Sequence, residues 1–379
     1  MPRGTGACRS CQTLGVIHTL FRDSMTLIAA FRSNGIPALV GDLLVTAGAI
    51  HGSRKKLLVV ADNLAIAWTG HLIAAQIVCK ALQGMSQNTT VSEDNLRALL
   101  TAFHPGDFAS LQVTIVGWLI EPKRQLCFRW RSDYPSEVFY GDPMTDGSGS
   151  RLADQYIGTR GLVGDPPTEQ PHHVAVSRAL QVVAELMRDE MHGRPNTSSG
   201  FGYAYELVVL NAAGRFDYVD DVLYFGLCHQ LTEAGRYVSS ALFGPILKIE
   251  HREGLAVLYQ FDPTTREETR DLITGPGFRR PELEEKIMLE ICAKAKAFPL
   301  DSAYFCQLLQ FDVPNFVTPR IVFLVDAAAG PGRPTIREDG SLAIPISRDG
   351  AENIFAAIRK DLETAQPREH DSGGACKPQ

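Results

Sequence analysis

The chain has no apolar run approaching the roughly 18 consecutive residues that a membrane-spanning helix requires. A helical membrane span is therefore not expected. It also has no excess of positive charge: 37 Lys and Arg are set against 43 Asp and Glu, a net charge of -6, so no overall basic field points to nucleic acid or anionic lipid. Cysteines are sparse, eight in 379 residues, too few for a disulfide scaffold and suited to a reducing, cytoplasmic setting. Cys8 and Cys11 form one CxxC, but no second pair or HxxxH follows at zinc-ligand spacing, so no metal is expected. Thr274-Gly-Pro-Gly277 lacks the Lys-Ser/Thr of a phosphate loop and reads as a turn, so no nucleotide or other cofactor is expected. His172 and His173 read as the start of a helix rather than as a ligand pair.

What the chain does have is 45% hydrophobic residues over a length that suits two domains. Residues 1–25 form no sustained apolar stretch with a small-residue cleavage site and are read as a leader or propeptide rather than a secretion signal. From Thr26 short strands follow one another: 26–31, 36–40, 56–60 and 64–68, with Ser33-Asn-Gly35 and Ala61-Asp-Asn63 as turns. Helical stripes are expected over 72–82 and over 93–103, the latter capped by Ser92. Strands at 111–120 and 125–130, a helix at 173–191 and strands at 204–210 and 216–223 complete this part. The grouping of strands and helices predicts two antiparallel sheets covered by helices, not a parallel βαβ fold. Beyond about residue 235 the pattern predicts a hairpin over 246–261 turning at His251-Arg-Glu-Gly254, a helix over 281–296, strands at 318–325 and 341–346, and a helix at 351–363. The tail 367–379 has a disordered composition.

The segment Thr26-Leu-Ile-Ala-Ala-Phe-Arg-Ser-Asn-Gly-Ile-Pro-Ala-Leu-Val-Gly-Asp42 resembles the opening of proteasome β-subunits and, more closely, of the bacterial heat-shock locus V peptidase. The resemblance continues through Thr46-Ala-Gly48, Lys55-Lys56 and Asp62-Asn-Leu-Ala-Ile-Ala-Trp-Thr-Gly70. It runs less tightly to Gly147-Ser-Gly-Ser150 and covers about residues 26–225. It implies an α+β fold, the four-layer αββα sandwich of N-terminal nucleophile (Ntn) hydrolases, at 26–235, followed by a mixed extension at 236–366.

The resemblance also implies a threonine-type peptidase. A threonine hydroxyl is a weak nucleophile that needs a base, and a free N-terminal amine serves as one. Thr26 would be the nucleophile and, once N-terminal, the base. Lys56, preferred over Lys55, would favour the alkoxide-like oxygen, Asp42 would orient that lysine, and Ser148 would complete the hydrogen bonds about the amine. Gly70 matches the oxyanion donor, Thr46 the strand that pairs with extended peptide, and Trp68 the floor of the specificity pocket. Peptide or unfolded protein as substrate, a homo-oligomeric ring and a separate ATP-dependent unfoldase are implied likewise.

Three features depart from the pattern, one of them an Asp42-to-Lys56 spacing two residues shorter than usual, with the deletion placed in the loop His51-Gly-Ser-Arg54. Met25, not glycine, precedes Thr26, so that either the leader is an atypical propeptide or synthesis starts at Met25. Leu72 replaces a small residue beside the pocket. Two alternatives therefore stand beside the peptidase: a catalytically inactive ring-forming subunit, and an Ntn amidase acting on a non-peptide amide.

Overall fold

The computed structural model describes residues 26–47, 50–85, 90–108, 111–159, 172–191, 200–232, 237–276, 281–293, 298–300, 302–312, 320–327, 335–336, 342–343 and 356. The leader with Cys8 and Cys11, the tail 367–379 and all but one residue of the helix expected at 351–363 lie outside them.

The first hairpin joins β1 (Leu27–Ser33) to β2 (Ile36–Asp42) through Asn34 and Gly35, whose φ angles of 49° and 77° are the doubly left-handed pair of a tight hairpin turn. A small ribbon, β3 (Leu44–Ala47) with β4 (Ile50–Ser53), leads into β5 (Leu57–Ala61) and β6 (Leu64–Gly70). Then come α1 (Leu72–Met85) and α2 (Glu93–Thr101), the second opened by the Ser92 hydroxyl accepting from the Asn95 amide. Strands β7 (Val113–Glu121), β8 (Arg124–Arg131), β9 (Val138–Tyr140) and β10 (Met144–Gly147) precede α3 (Ser150–Thr159) and α4 (His172–Met191). Strands β11 (Tyr205–Leu210) and β12 (Phe216–Tyr218) close this part.

Two five-stranded antiparallel sheets result, ordered β10-β1-β2-β11-β12 and β5-β6-β7-β8-β9. Strand β1 shows how they pack, since successive side chains of a strand point to opposite faces. Ile28 and Ala30 meet Ala65, Ala67, Val116 and Trp118 of the other sheet in one core. Leu27, Ala29 and Phe31 face away, into a second core with Ile157 of α3 and Val176, Leu180 and Val183 of α4. The far face of the other sheet, with Ile66 and Trp68, packs on Ala75, Val78 and Leu82 of α1 and Leu96 and Leu100 of α2. A strand buried on both faces needs apolar residues throughout, which is why Leu27–Phe31 reads as an unbroken apolar run.

The rest of the chain supplies β13 (Val222–Leu231), β14 (Tyr237–Arg252), β15 (Leu255–Phe261), β16 (Glu268–Ile273), α5 (Pro281–Ala293), β17 (Tyr304–Asp312) and β18 (Arg320–Ala327), then a two-residue pair β19 (Thr335–Ile336) and β20 (Leu342–Ala343). Six of these strands form a third sheet, ordered β16-β15-β14-β13-β17-β18, antiparallel except for the parallel pair β13 and β17. One face, with Tyr224, Leu247, Leu258 and Leu308, joins the core around α4; the other, with Phe225, Val257 and Phe311, packs on Ile287 and Ile291 of α5. Helix α4 thus lies between two sheets, and Val182–Met187 are buried without a break.

The chain is α+β with mostly antiparallel sheets and, among the described residues, five α-helices. The two antiparallel sheets expected in the first part are present, and the extension adds a third large sheet. The strand expected at 216–223 is two: Asp221, at φ 59°, breaks it and sends the chain from the first sheet into the third. The expected division at residue 235 falls between the paired strands β13 and β14, so the third sheet begins at Val222. Among the described residues no helix is long and apolar enough to cross a membrane.

Candidate active site

The ends of three segments converge at Thr26. It precedes β1, Asp42 ends β2, and Lys56 immediately precedes β5; all three side chains are wholly buried. The Thr26 hydroxyl donates to Asp42 Oδ1 at 2.5 Å and accepts from Lys56 Nζ at 2.7 Å. Lys56 Nζ also donates to the Leu44 carbonyl at 2.5 Å and lies 3.5 Å from Asp42 Oδ1. Asp42 is held from the backbone as well, by the amides of Leu27 at 2.9 Å and Gly202 at 3.0 Å.

Burial is the largest influence on both charges. It raises the Asp42 carboxyl above its ordinary range, against the attraction of Lys56 and the hydrogen bonds from Leu27, Thr26 and Gly202. It lowers the Lys56 ammonium, against the opposing charges and hydrogen bond of Asp42 and the charge of Glu206. A buried lysine beside a threonine oxygen suits nucleophile activation, since its ammonium can stabilise developing negative charge there.

Lys55 takes another direction. Its Nζ is 3.1 Å from Glu206 Oε1 and 3.8 Å from the centre of the Tyr218 ring. Burial lowers the Lys55 ammonium, but the charge of Glu206 and then Tyr218 outweigh this and hold it above the usual lysine range. Burial likewise raises the Glu206 carboxyl, and Lys55 and His251 more than offset it, leaving it below the ordinary range. Of the two lysines, Lys56 is the one that touches Thr26.

Ser148 lies beside the cluster: its hydroxyl donates to the Thr26 carbonyl at 3.3 Å, beside the Gly149 amide at 3.3 Å. Gly147, at φ 92°, runs so close that a β-carbon there would lie 2.0 Å from the same carbonyl oxygen. Gly70 ends β6 at φ 107°, where a β-carbon would lie 2.3 Å from the Gln112 carbonyl. Thr46 lies in β3 opposite His51, two residues beyond the carbonyl that Lys56 engages.

Trp68 is placed differently from the expected pocket floor. It is wholly buried in the α1 and α2 core, its indole N–H donating to the Lys55 carbonyl at 3.0 Å and its amide to the Lys56 carbonyl at 3.1 Å. It braces the two-lysine segment from behind, and Lys56 Nζ lies 5.3 Å from its ring centre.

Sequence reasoning missed Gly202, Tyr203, Glu206 and His251. Glu206 carried a usable signal: one carboxylate inside the otherwise apolar strand Tyr205–Leu210, where burial requires a partner. Among the described residues no group of three or more His, Cys, Asp or Glu is gathered as for a metal ion. A scan against protein-family models returns no match for the chain, and neither does a search of curated proteins.

Proposed function

We propose that the chain is a threonine-type peptidase of the Ntn hydrolase class, proteasome-like in its first part, with Thr26 as nucleophile. The observation that carries this reading is the sealed contact of one hydroxyl with Lys56 Nζ at 2.7 Å and Asp42 Oδ1 at 2.5 Å. The packing of two sheets face to face, with α3 and α4 on one outer face and α1 and α2 on the other, supports a four-layer αββα core.

Cleavage of the Met25–Thr26 bond turns the Thr26 nitrogen from an amide into an amine with an ordinary pKa near 8. The hydroxyl proton then passes to that amine as Oγ1 attacks the substrate carbonyl carbon. The carbonyl electron pair moves onto oxygen, and its return expels the amide nitrogen, which takes the proton from the ammonium. An ester on Thr26 remains. Water, giving its proton to the same amine, attacks the ester; the acid product leaves and the hydroxyl is restored. Lys56 holds Oγ1 and favours its negative charge, while Asp42 fixes Lys56. An extended peptide or unfolded protein is the substrate this reading assigns, with a ring of copies and a separate ATP-driven unfoldase as partners.

A second reading, a non-catalytic subunit, is favoured by the 0% exposure of Thr26, since a covered hydroxyl meets no substrate. The two are separated with protein whose N-terminus is verified by mass spectrometry as Thr26. The peptidase reading expects peptide turnover and covalent labelling by a threonine-reactive peptide electrophile, both abolished in Thr26→Ala. A verified Thr26 terminus with neither turnover nor labelling would leave the non-catalytic reading.

A further inference from the structure

The third sheet reaches the proposed catalytic pair from two sides. On one side Asp42 Oδ2 accepts from the Gly202 amide at 3.0 Å, and the next residue, Tyr203, donates its hydroxyl to Asp271 Oδ2 of β16 at 2.5 Å. The intervening backbone is unusual: Gly200, Gly202 and Tyr203 have φ of 81°, 112° and 75°. A tyrosine in the left-handed region persists only where its surroundings impose it, and such strain concentrates at functional sites.

On the other side Lys55, the residue before Lys56, is engaged through both its backbone and its side chain. Its amide donates to the Thr274 carbonyl just beyond β16 at 3.0 Å, its carbonyl accepts from Trp68, and its ammonium pairs with Glu206. Glu206 Oε1 in turn lies 2.9 Å from His251 Nε2 of β14, and His251 stacks on Tyr218 with ring centres 4.4 Å apart. Asp220 Oδ1 accepts from the His251 amide and lies 3.4 Å from its Nδ1.

We propose that strands β14 and β16 are a positioning element of the catalytic centre: Asp271, through Tyr203 and Gly202, fixes Asp42, and His251, through Glu206 and Lys55, fixes Lys56. This rests on the function proposed above only for the word catalytic. The juxtaposition gives the C-terminal sheet a direct part in the site, since neither arm can form without it. None of Asp271, Tyr203, Glu206 or His251 touches Thr26 Oγ1; they act through the residues that do.

The test reads Lys56 rather than turnover. In the full chain carrying ¹³C-labelled lysine, the Lys56 side-chain signal, assigned by its loss in Lys56→Arg, is titrated with pH. The charged groups facing it are Asp42 and, further off, Glu206. Breaking an arm loosens the enclosure and admits water, so Tyr203→Phe and Asp271→Ala move the Lys56 midpoint up by about one pH unit. Asp271→Asn, which keeps an acceptor oxygen, returns it toward the parent value, and His251→Ala moves it as Tyr203→Phe does. An unmoved midpoint in folded Tyr203→Phe and Asp271→Ala overturns the proposal. Should His251→Ala fail to fold, Tyr203→Phe, which removes one oxygen from a half-buried side chain, still decides. Absence of turnover in the Thr26-initiated protein counts against the proposed function alone, because the titration needs none.

Discussion

Lys56 and Asp42 share one hydroxyl group between them: Thr26 Oγ1 accepts from the ammonium at 2.7 Å while giving its proton to the carboxylate at 2.5 Å. Neither charged group meets solvent. Lys56→Met therefore strands a buried carboxylate, at a cost of about 3–5 kcal/mol in unfolding free energy. The double variant Lys56→Met with Asp42→Asn removes both charges and recovers most of that stability. Under the proposed function it is not expected to recover peptide turnover. Urea unfolding and turnover measured on the same preparations check this, and activity in the double variant would refute the role given to Lys56.

Trp68→Phe separates a brace from a pocket floor. The substitution leaves the Lys55 carbonyl without its indole donor in a buried place, an expected loss of about 1–3 kcal/mol. A pocket-lining residue would instead alter the preference for small over large side chains at the cleaved position. Comparing melting temperature with kcat/KM on a short series of peptides checks this; a changed side-chain preference with unchanged stability would restore the pocket role.

Gly147→Ala tests the close approach at the Thr26 carbonyl. The added carbon meets that oxygen at 2.0 Å, and the backbone at φ 92° disfavours any side chain. The expected cost is at least about 1–3 kcal/mol, from backbone strain with the collision added. Gly158→Ala, on α3 with open space around it, is the control and is expected to leave the melting temperature nearly unchanged.

The pH dependence of stability has a definite sign at Glu206. Its carboxyl lies below the ordinary 4.5 in the folded chain, so the unfolded chain binds the proton first as pH falls. Its contribution is complete above about pH 4.5 and is lost as pH descends through the lower folded value. Glu206→Gln should therefore lower stability at pH 7 and flatten the acid limb. Unfolding midpoints from pH 3 to 7 test this, and an acid limb as steep in the variant as in the parent would contradict it.

The parts of the fold legible in the sequence are those where local pattern and burial agree. The hairpin at Asn34-Gly35 and the turn closed by Gly254 are marked by Asn and Gly, which accept positive φ, and strands buried on both faces read as unbroken apolar runs. Strand β16 was not legible, because Glu268–Ile273 is a charged strand at the sheet's edge that, among the described residues, pairs only with β15. Helix α3 was hidden by the small-residue segment 147–150 that leads into it. At the site, the spacing of Thr26, Asp42 and Lys56 was legible through a resemblance. The roles of Glu206, Tyr203 and His251 were not, since those contacts join segments far apart in the chain and only the assembled third sheet brings them together.

Strand β13 is made early and completed late. It needs β14 on one edge and β17 on the other, and β17 emerges only after β14 to β16 and α5 have been synthesised. Until then a ribosome-bound chain carries Val222–Leu231 with an open edge, a surface that invites pairing with other strands. Fragments cut near residue 235 would keep that exposure permanently, so the chain's two parts are poor candidates for separate expression.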